Sequence, residues 1–223
     1  EIVRLMNEEE QVAFRAVAAA EESLAIAGER IASSFQKGGR VIYMGAGTSA
    51  RIAAMDAAEM IPSFGLRPDR FVVVQPASPN LDDERYEDPE DDEHASIDTL
   101  NQMGANRDDV LISLAASGRT PFVLAGTRHA RQKGIWVCGI ANNRHSPLLR
   151  ECDLPIFLDT GPEVLTGSTR LKAATAQKLA LNQISTVAMV LSGKVIENLM
   201  VDVNAHSYKL KERCVRIVRD MTT

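Results

Sequence analysis

Short runs of β-branched and aliphatic residues alternate along the chain with longer stretches whose apolar residues have helical spacing. Five runs are expected to be buried strands: residues 40–44, 71–74, 110–115, 135–140 and 154–158. Strands that alternate with helices pair in parallel, because each helical crossover returns the chain to the same end of the sheet. The alternation therefore predicts an α/β fold in which a five-stranded parallel sheet lies between two layers of helices.

Helices are expected between these strands and at both ends of the chain. The predicted helices are 49–60, 94–103, 120–133 and 147–151 between strands, and 168–191 and 204–221 after them. Residues 7–36 form either one long helix or two short ones. We therefore expect one domain over residues 1–223, with an N-terminal helical segment (1–38) and C-terminal helices (166–223) packed on it.

Composition excludes several classes of function. The net charge is −5 and the 25 Lys and Arg residues are scattered, which argues against a nucleic-acid-binding face. No run of 18 apolar residues is available to cross a membrane. Cys138, Cys152 and Cys214 are far apart, and neither they nor the four histidines have metal-ligand spacing. We expect a soluble, cytoplasmic protein that binds a small molecule and has no metal.

A turn rich in small and hydroxylic residues follows the first predicted strand. It contains Gly47, Thr48 and Ser49 and leads directly into a helix, whose free backbone N–H groups attract an anion. The string Gly45 to Ala50 also reads as GxGxxA, the dinucleotide fingerprint. That alternative is disfavoured, because the second strand does not end in the acidic residue that would hold a ribose.

Two further turns have the same character. Ser117, Gly118, Arg119 and Thr120 follow the third strand, before a proline that starts a helix. Turns after the carboxyl ends of parallel strands converge on one crevice, so these two are expected to hold one phosphate group.

The third turn spans residues 161–172 and precedes the first C-terminal helix. Its three hydroxyls and two cations are further candidate ligands of a phosphate or of a substrate carboxylate: Thr166, Ser168, Thr169, Arg170 and Lys172.

These motifs resemble the SIS (sugar isomerase) fold and, more narrowly, the N-acetylmuramic acid 6-phosphate etherases. The match extends from the turns to residues 175–178 and 198–203, so it covers nearly the whole chain. The resemblance implies cleavage of the D-lactyl ether of a sugar phosphate, giving N-acetylglucosamine 6-phosphate and D-lactate without cofactor or metal. The chain departs from the family pattern at Ala50, Met60, Ile61 and residues 75–78.

The resemblance also implies two catalytic carboxyl groups. Glu59 matches the family's proton donor, and Glu87, in an acidic stretch, matches the base that removes the proton at carbon 2. A shift of register in that stretch would select Glu84 instead.

Helix geometry adds a constraint on Glu59. Ser49 and Glu59 are ten residues apart, about 15 Å along an unbroken helix, which is too far for one hexose phosphate. We therefore expect Glu59 to serve the site of a neighbouring subunit in a homodimer with shared active sites. The competing possibility is a helix that breaks before Ala57.

Two other functions remain open at this point. A sugar-phosphate-sensing regulator would keep the hydroxylic turns without the chemistry. An aldose–ketose phosphosugar isomerase would share ring opening and deprotonation at carbon 2, but it would not need an acid for the departing lactate.

Overall fold

The chain begins with two helices that pack against the rest of the protein. The computed structural model describes residues 1–77, 88–205 and 208–222. Helices α1 (Ile2–Ala18) and α2 (Glu21–Gln36) occupy the N-terminal segment. Of the two possibilities for this segment, two helices are therefore observed.

The predicted parallel sheet is present. Its strands are β1 (Val41–Gly45), β2 (Phe71–Val74), β3 (Val110–Leu114), β4 (Trp136–Ala141) and β5 (Leu154–Phe157). They pair in parallel in the order β2-β1-β3-β4-β5. The α/β prediction is confirmed.

Helices connect the strands on both faces. They are α3 (Gly47–Phe64), α4 (Glu93–Gln102), α5 (Pro121–Gln132) and α6 (Pro147–Glu151), with a 3₁₀ turn at Pro89–Asp91. Helix α3 continues through Pro62 and ends at Gly65, whose left-handed conformation suits a glycine. The alternative of a helix that breaks before Ala57 is therefore wrong.

Two hydrophobic cores lie on opposite faces of the sheet. Alternate strand residues such as Tyr43 and Ile112 pack against α1, α2 and α3 on one face. Their neighbours Ile42 and Leu111 pack against α4, α5 and α6 on the other. Side chains alternate across a strand, so a strand buried on both faces produces three layers.

The C-terminal part adds two helices and a hairpin. Helix α7 (Lys172–Leu191) packs in the first core, and strands β6 (Val195–Ile196) and β7 (Leu199–Met200) form an antiparallel pair before α8 (Tyr208–Thr222). The predicted helix start at residue 168 is four residues early. The predicted start at 204 is also four residues early.

The strand order places a crevice at one end of the sheet. β1 is followed by α3 on one face and β3 by α5 on the other, so the chain leaves these adjacent strands in opposite directions. In a doubly wound sheet with this order, that switch point is where ligands bind.

Candidate functional site

A small polar cavity occupies this switch point. It measures about 190 Å³ and lies between the turns that follow β1 and β3. The polar side chains that line it belong to Thr48, Ser49, Glu90, Ser117, Thr120 and Thr169. Sites that enclose a whole small-molecule ligand usually measure roughly 300–1,000 Å³. The cavity therefore suits the phosphate head of a ligand whose remainder projects outward.

Two helices begin at the cavity without side-chain caps. Ala46 precedes α3 and Thr120 precedes α5, and neither side chain bonds to the first turn of its helix. The first N–H groups of these helices are consequently not satisfied by a cap. With the positive ends of two helix dipoles, they favour an anion.

Two glycines allow the turns their shape. Gly47 has φ of 52° and Gly118 has φ of 64°, in the left-handed region that suits glycine. A β-carbon on Gly118 would lie 2.3 Å from both Cβ and Oγ of the buried Ser146. This position therefore excludes any larger residue on two independent grounds.

Ser117 and Arg119 have different environments. The Ser117 hydroxyl oxygen accepts a bond from the Arg119 backbone N–H at 3.2 Å, which leaves the hydroxyl proton able to donate to a ligand. The Arg119 side chain is exposed and does not line the cavity.

The third predicted turn reaches the cavity through Thr169 alone. Thr166 and Ser168 lie outside the cavity lining. The carboxylate of Glu163 accepts bonds from the backbone N–H groups of Lys172 and Ala173, at 3.1 and 2.9 Å. The first N–H groups of α7 are thus already bonded to a carboxylate of the same chain.

The Lys172 side chain is directed to a different partner from the one the sequence suggests. Its ammonium group is buried and forms an ion pair with Glu9 on α1. Sequence reasoning missed this pair because its members are 163 residues apart.

Ser49 is buried at the back of the cavity. Its hydroxyl bonds to the side-chain carbonyl of Gln177 on α7 at 2.8 Å. Ser49, one of the predicted phosphate-binding residues, therefore links the cavity wall to α7.

Glu90 is a cavity residue that sequence reasoning did not select. It lies in the 3₁₀ turn, and its Oε1 would be 3.0 Å from a β-carbon placed on Gly47. Burial raises the pKa of Glu90, and the neighbouring charges of Asp88 and Asp91 raise it further. A carboxyl at an anion-binding cavity can repel a phosphate when ionised and donate a hydrogen bond when protonated.

Of the two predicted catalytic glutamates, the structure describes only Glu59, and Glu59 lies outside this cavity. Glu59 is exposed on the unbroken α3 and does not line the cavity. Glu87 and the alternative Glu84 fall outside the described residues. Among residues 1–77, 88–205 and 208–222, none buries the Glu59 side chain.

A buried polar cluster holds α3 in place one turn before Glu59. Asp56 accepts a bond from the Tyr43 hydroxyl at 2.9 Å and contacts Lys178 and Ser185 on α7, each at 3.3 Å. Burial, together with the Asp56 charge, raises the pKa of Tyr43 well above its ordinary value. These bonds fix α3 relative to β1 and α7 and so fix the position of Glu59.

The described residues, 1–77, 88–205 and 208–222, contain neither a group of metal ligands nor a membrane-spanning helix. No three His, Cys, Asp or Glu side chains there are grouped to hold a metal ion. Within the same ranges, every helix is too short or too polar to span a membrane.

Comparison with known proteins places these features in a family. The SIS domain profile matches residues 6–142. The N-acetylmuramic acid 6-phosphate etherase of Geobacillus sp. (strain WCH70) is 43% identical over 222 residues, covering 100% of this chain and 75% of that protein. The etherase of Mycolicibacterium smegmatis is 45% identical over 222 residues, covering 100% of this chain and 74% of that protein.

A solved structure with the same fold has a bound ligand. The Vibrio vulnificus NanR protein complexed with ManNAc-6P superimposes with a TM-score of 0.59 at 16% identity, covering 99% of this chain and 69% of that chain. At this identity the likeness shows the fold alone.

Proposed function

Because the chain belongs to the N-acetylmuramic acid 6-phosphate etherase family of SIS-domain proteins, we propose that it cleaves the D-lactyl ether of N-acetylmuramic acid 6-phosphate. The products are N-acetylglucosamine 6-phosphate and D-lactate. The observation that carries the proposal is the hydroxyl-lined cavity with two uncapped helix N-termini, which suits a phosphate monoester. Relatives matched over the full chain favour the etherase over the regulator and the isomerase.

The reaction is an elimination followed by addition of water. The phosphate is held by the turns of Thr48, Ser117, Thr120 and Thr169, and the opened sugar extends from the mouth of the cavity. A base removes the proton at carbon 2, the bond from carbon 3 to the lactate oxygen breaks, and an acid protonates that oxygen. Water then adds to the unsaturated sugar.

Glu59 is proposed as the acid and Glu87 as the base, on the match to the family motif. Ser49 and Glu59 both lie on the unbroken helix α3. They are ten residues apart, so about 15 Å of helix separates them. This separation supports a homodimer in which Glu59 completes the site of the other subunit.

The assay is release of D-lactate from N-acetylmuramic acid 6-phosphate. Glu59→Gln is expected to abolish release and leave part of the deuterium exchange at carbon 2, since exchange needs only the base. Glu29→Gln, an exposed glutamate on α2, is the matched control and should retain wild-type activity. Loss of both lactate release and exchange in Glu59→Gln would contradict the division of roles.

Mixing two inactive variants tests the shared site. Glu59→Gln is combined with Ser117→Ala/Thr120→Ala, whose cavity is disabled but whose Glu59 is intact. Random exchange makes about half of the dimers mixed, each with one complete site, so about a quarter of the activity should return. No recovery on mixing would place Glu59 and the cavity of one site on the same chain.

We also propose the cytoplasm as the location of the protein. Cys138, Cys152 and Cys214 are all free thiols, which fits a reducing compartment.

A further inference from the structure

The turn after β3 presents an arginine at the rim of the cavity. Arg119 lies between Ser117 and Thr120, whose side chains both line the cavity, and its own side chain is exposed. The Arg119 backbone N–H donates to the Ser117 hydroxyl oxygen at 3.2 Å. Consecutive Cα atoms are about 3.8 Å apart, so these two neighbours keep the Arg119 backbone beside the cavity.

Main-chain hydrogen bonds hold this turn against the rest of the sheet. The Gly118 carbonyl accepts a bond from the Leu148 N–H in α6 at 3.2 Å. The Ala116 carbonyl accepts one from the N–H of Asn142, directly after β4, at 2.9 Å. The backbone of Arg119 is thus fixed by its surroundings, while its exposed side chain can reach a ligand that projects from the cavity.

The charge of Arg119 is not used in an ion pair of the fold. Across the parts of the chain that the structure describes, no carboxylate lies within ion-pair distance of Arg119. The next two arginines, on α5, are paired: Arg128 with Glu151 at 2.7 Å, and Arg131 with Asp153 at 2.9 Å. Arg119 is therefore available to an anion from outside the protein.

The proposed substrate has a second anionic group besides its phosphate. The phosphate is on carbon 6 and the lactyl ether on carbon 3, so a phosphate held in the cavity leaves the lactyl carboxylate outside it. An arginine side chain pairs with a carboxylate through two parallel N–H bonds. Of the other predicted cations, Lys172 is already paired with Glu9, and Arg170 borders only one residue of the cavity lining, whereas Arg119 lies between two.

We infer that Arg119 binds the lactyl carboxylate and so distinguishes a sugar phosphate that has a lactyl group from one that lacks it. The inference rests on the proposed etherase function and deepens it, because it assigns the substrate preference to one residue. The sequence motif places Arg119 with the phosphate-binding residues, and the inference moves it to the other anionic group. The product lacks this group and is therefore bound less tightly than the substrate.

The test compares N-acetylmuramic acid 6-phosphate with N-acetylglucosamine 6-phosphate by titration calorimetry. The background is Glu59→Gln, in which the first ligand is expected to stay intact. Adding Arg119→Gln should raise Kd for that ligand at least roughly tenfold, the worth of a charge-assisted hydrogen bond, and leave Kd for the second within about twofold. Arg107→Gln, at an exposed arginine before β3 and thus at the opposite end of the sheet, is the matched control and should change neither Kd.

A second variant separates charge from geometry. Arg119→Lys keeps the charge but loses the paired N–H groups, so it should weaken binding of the lactyl-bearing ligand less than Arg119→Gln does. Equal weakening of both ligands in Arg119→Gln would overturn the inference and assign Arg119 to the phosphate. Unchanged Kd for both ligands would also overturn it, as would a selective loss in Arg170→Gln with none in Arg119→Gln.

Kinetics separate this inference from the proposed function. The lactyl carboxylate keeps its charge during the elimination, so a bond to it stabilises the substrate and the transition state alike. With Glu59 intact, Arg119→Gln should raise KM for lactate release at least roughly tenfold and leave kcat within about threefold. A fall in kcat with unchanged KM would contradict the inference while lactate release by the wild-type protein continued to support the etherase. A selective loss of affinity in a protein whose wild type releases no lactate would refute the etherase alone.

Discussion

The ion pair between Lys172 and Glu9 predicts that its two members respond unequally to mutation. The Lys172 side chain is 3% exposed, whereas that of Glu9 is 38% exposed. Removing Glu9 leaves an ammonium group buried without a counter-charge. Removing Lys172 leaves a carboxylate that water can reach. We therefore expect Glu9→Gln to destabilise the protein more than Lys172→Met.

The magnitude follows from burial. Breaking a fully buried pair by removing one partner costs ~3–5 kcal/mol. Glu9 is partly solvated, so water can approach the site, and we expect about 2 kcal/mol for Glu9→Gln. Methionine keeps most of the apolar volume of Lys172, and the bond from its backbone N–H to Glu163 is unaffected. Lys172→Met should therefore cost less than about 1 kcal/mol.

The assay is urea unfolding at pH 7, followed by the fluorescence of Trp136, the single tryptophan. Glu8→Gln is the matched control, because Glu8 forms an exposed pair with Arg4 and should change the free energy of unfolding by at most about 0.5 kcal/mol. A Lys172→Met variant at least as unstable as Glu9→Gln would refute the reasoning. If Lys172→Met instead raises Kd for N-acetylglucosamine 6-phosphate more than roughly tenfold, Lys172 contacts the ligand.

Four further outcomes are expected. Gly118→Ala should weaken binding of N-acetylglucosamine 6-phosphate at least roughly tenfold, because the turn needs positive φ and open space; unchanged calorimetric affinity would contradict this. Glu90→Gln should tighten that binding roughly fivefold at pH 8, since a like charge near 4 Å costs about 1 kcal/mol in water. This gain in affinity over the wild type should disappear as the pH falls through the pKa of Glu90, which is raised above 4.5. Weaker binding by Glu90→Gln than by the wild type would instead show that Glu90 binds the sugar. Burial disfavours the ionised form of Asp109, but hydrogen bonds from Arg40 and from backbone N–H groups outweigh this effect and lower the pKa of Asp109. Asp109→Asn should therefore lower the free energy of unfolding in urea by about 2 kcal/mol at pH 7. The gap between wild type and variant should close as the pH falls through the lowered pKa of Asp109, below 3.8, and a constant gap would contradict the assignment. Burial raises the pKa of Cys152 to about 11, so mass spectrometry should find this thiol unalkylated after brief iodoacetamide treatment at pH 8; rapid labelling would show that the site opens.

The sheet and its order of elements could be predicted from local sequence. Each predicted strand lies within one residue of the observed one at either end, because buried β-branched runs between turns give a strong signal. The hairpin of β6 and β7 was missed. Its strands have two residues each, and its turn contains Glu197 with φ of 54° instead of the usual Asn-Gly or Asp-Gly signal.

Non-local contacts explain the differences at the site. Sequence reasoning starts α7 at Ser168 because serine commonly caps helices, but the carboxylate that caps it belongs to Glu163. The motif that selects Glu87 does not distinguish Glu90, three residues later, which the 3₁₀ turn brings to Gly47. The turns themselves were predictable, since glycine and hydroxyl residues follow both β1 and β3, which are neighbours in the sheet.

The Glu163 carboxylate at the start of α7 has a consequence for substrates with two negative groups. Its negative charge offsets the positive end of the α7 dipole, so a bound anion would gain no stabilisation from that dipole. In our proposal the ends of α3 and α5 hold a single phosphate. We therefore expect the lactyl carboxylate of an etherase substrate to be bound by a cationic side chain outside this cleft. Arg119 is that side chain in our inference, and a second protomer is another source of one.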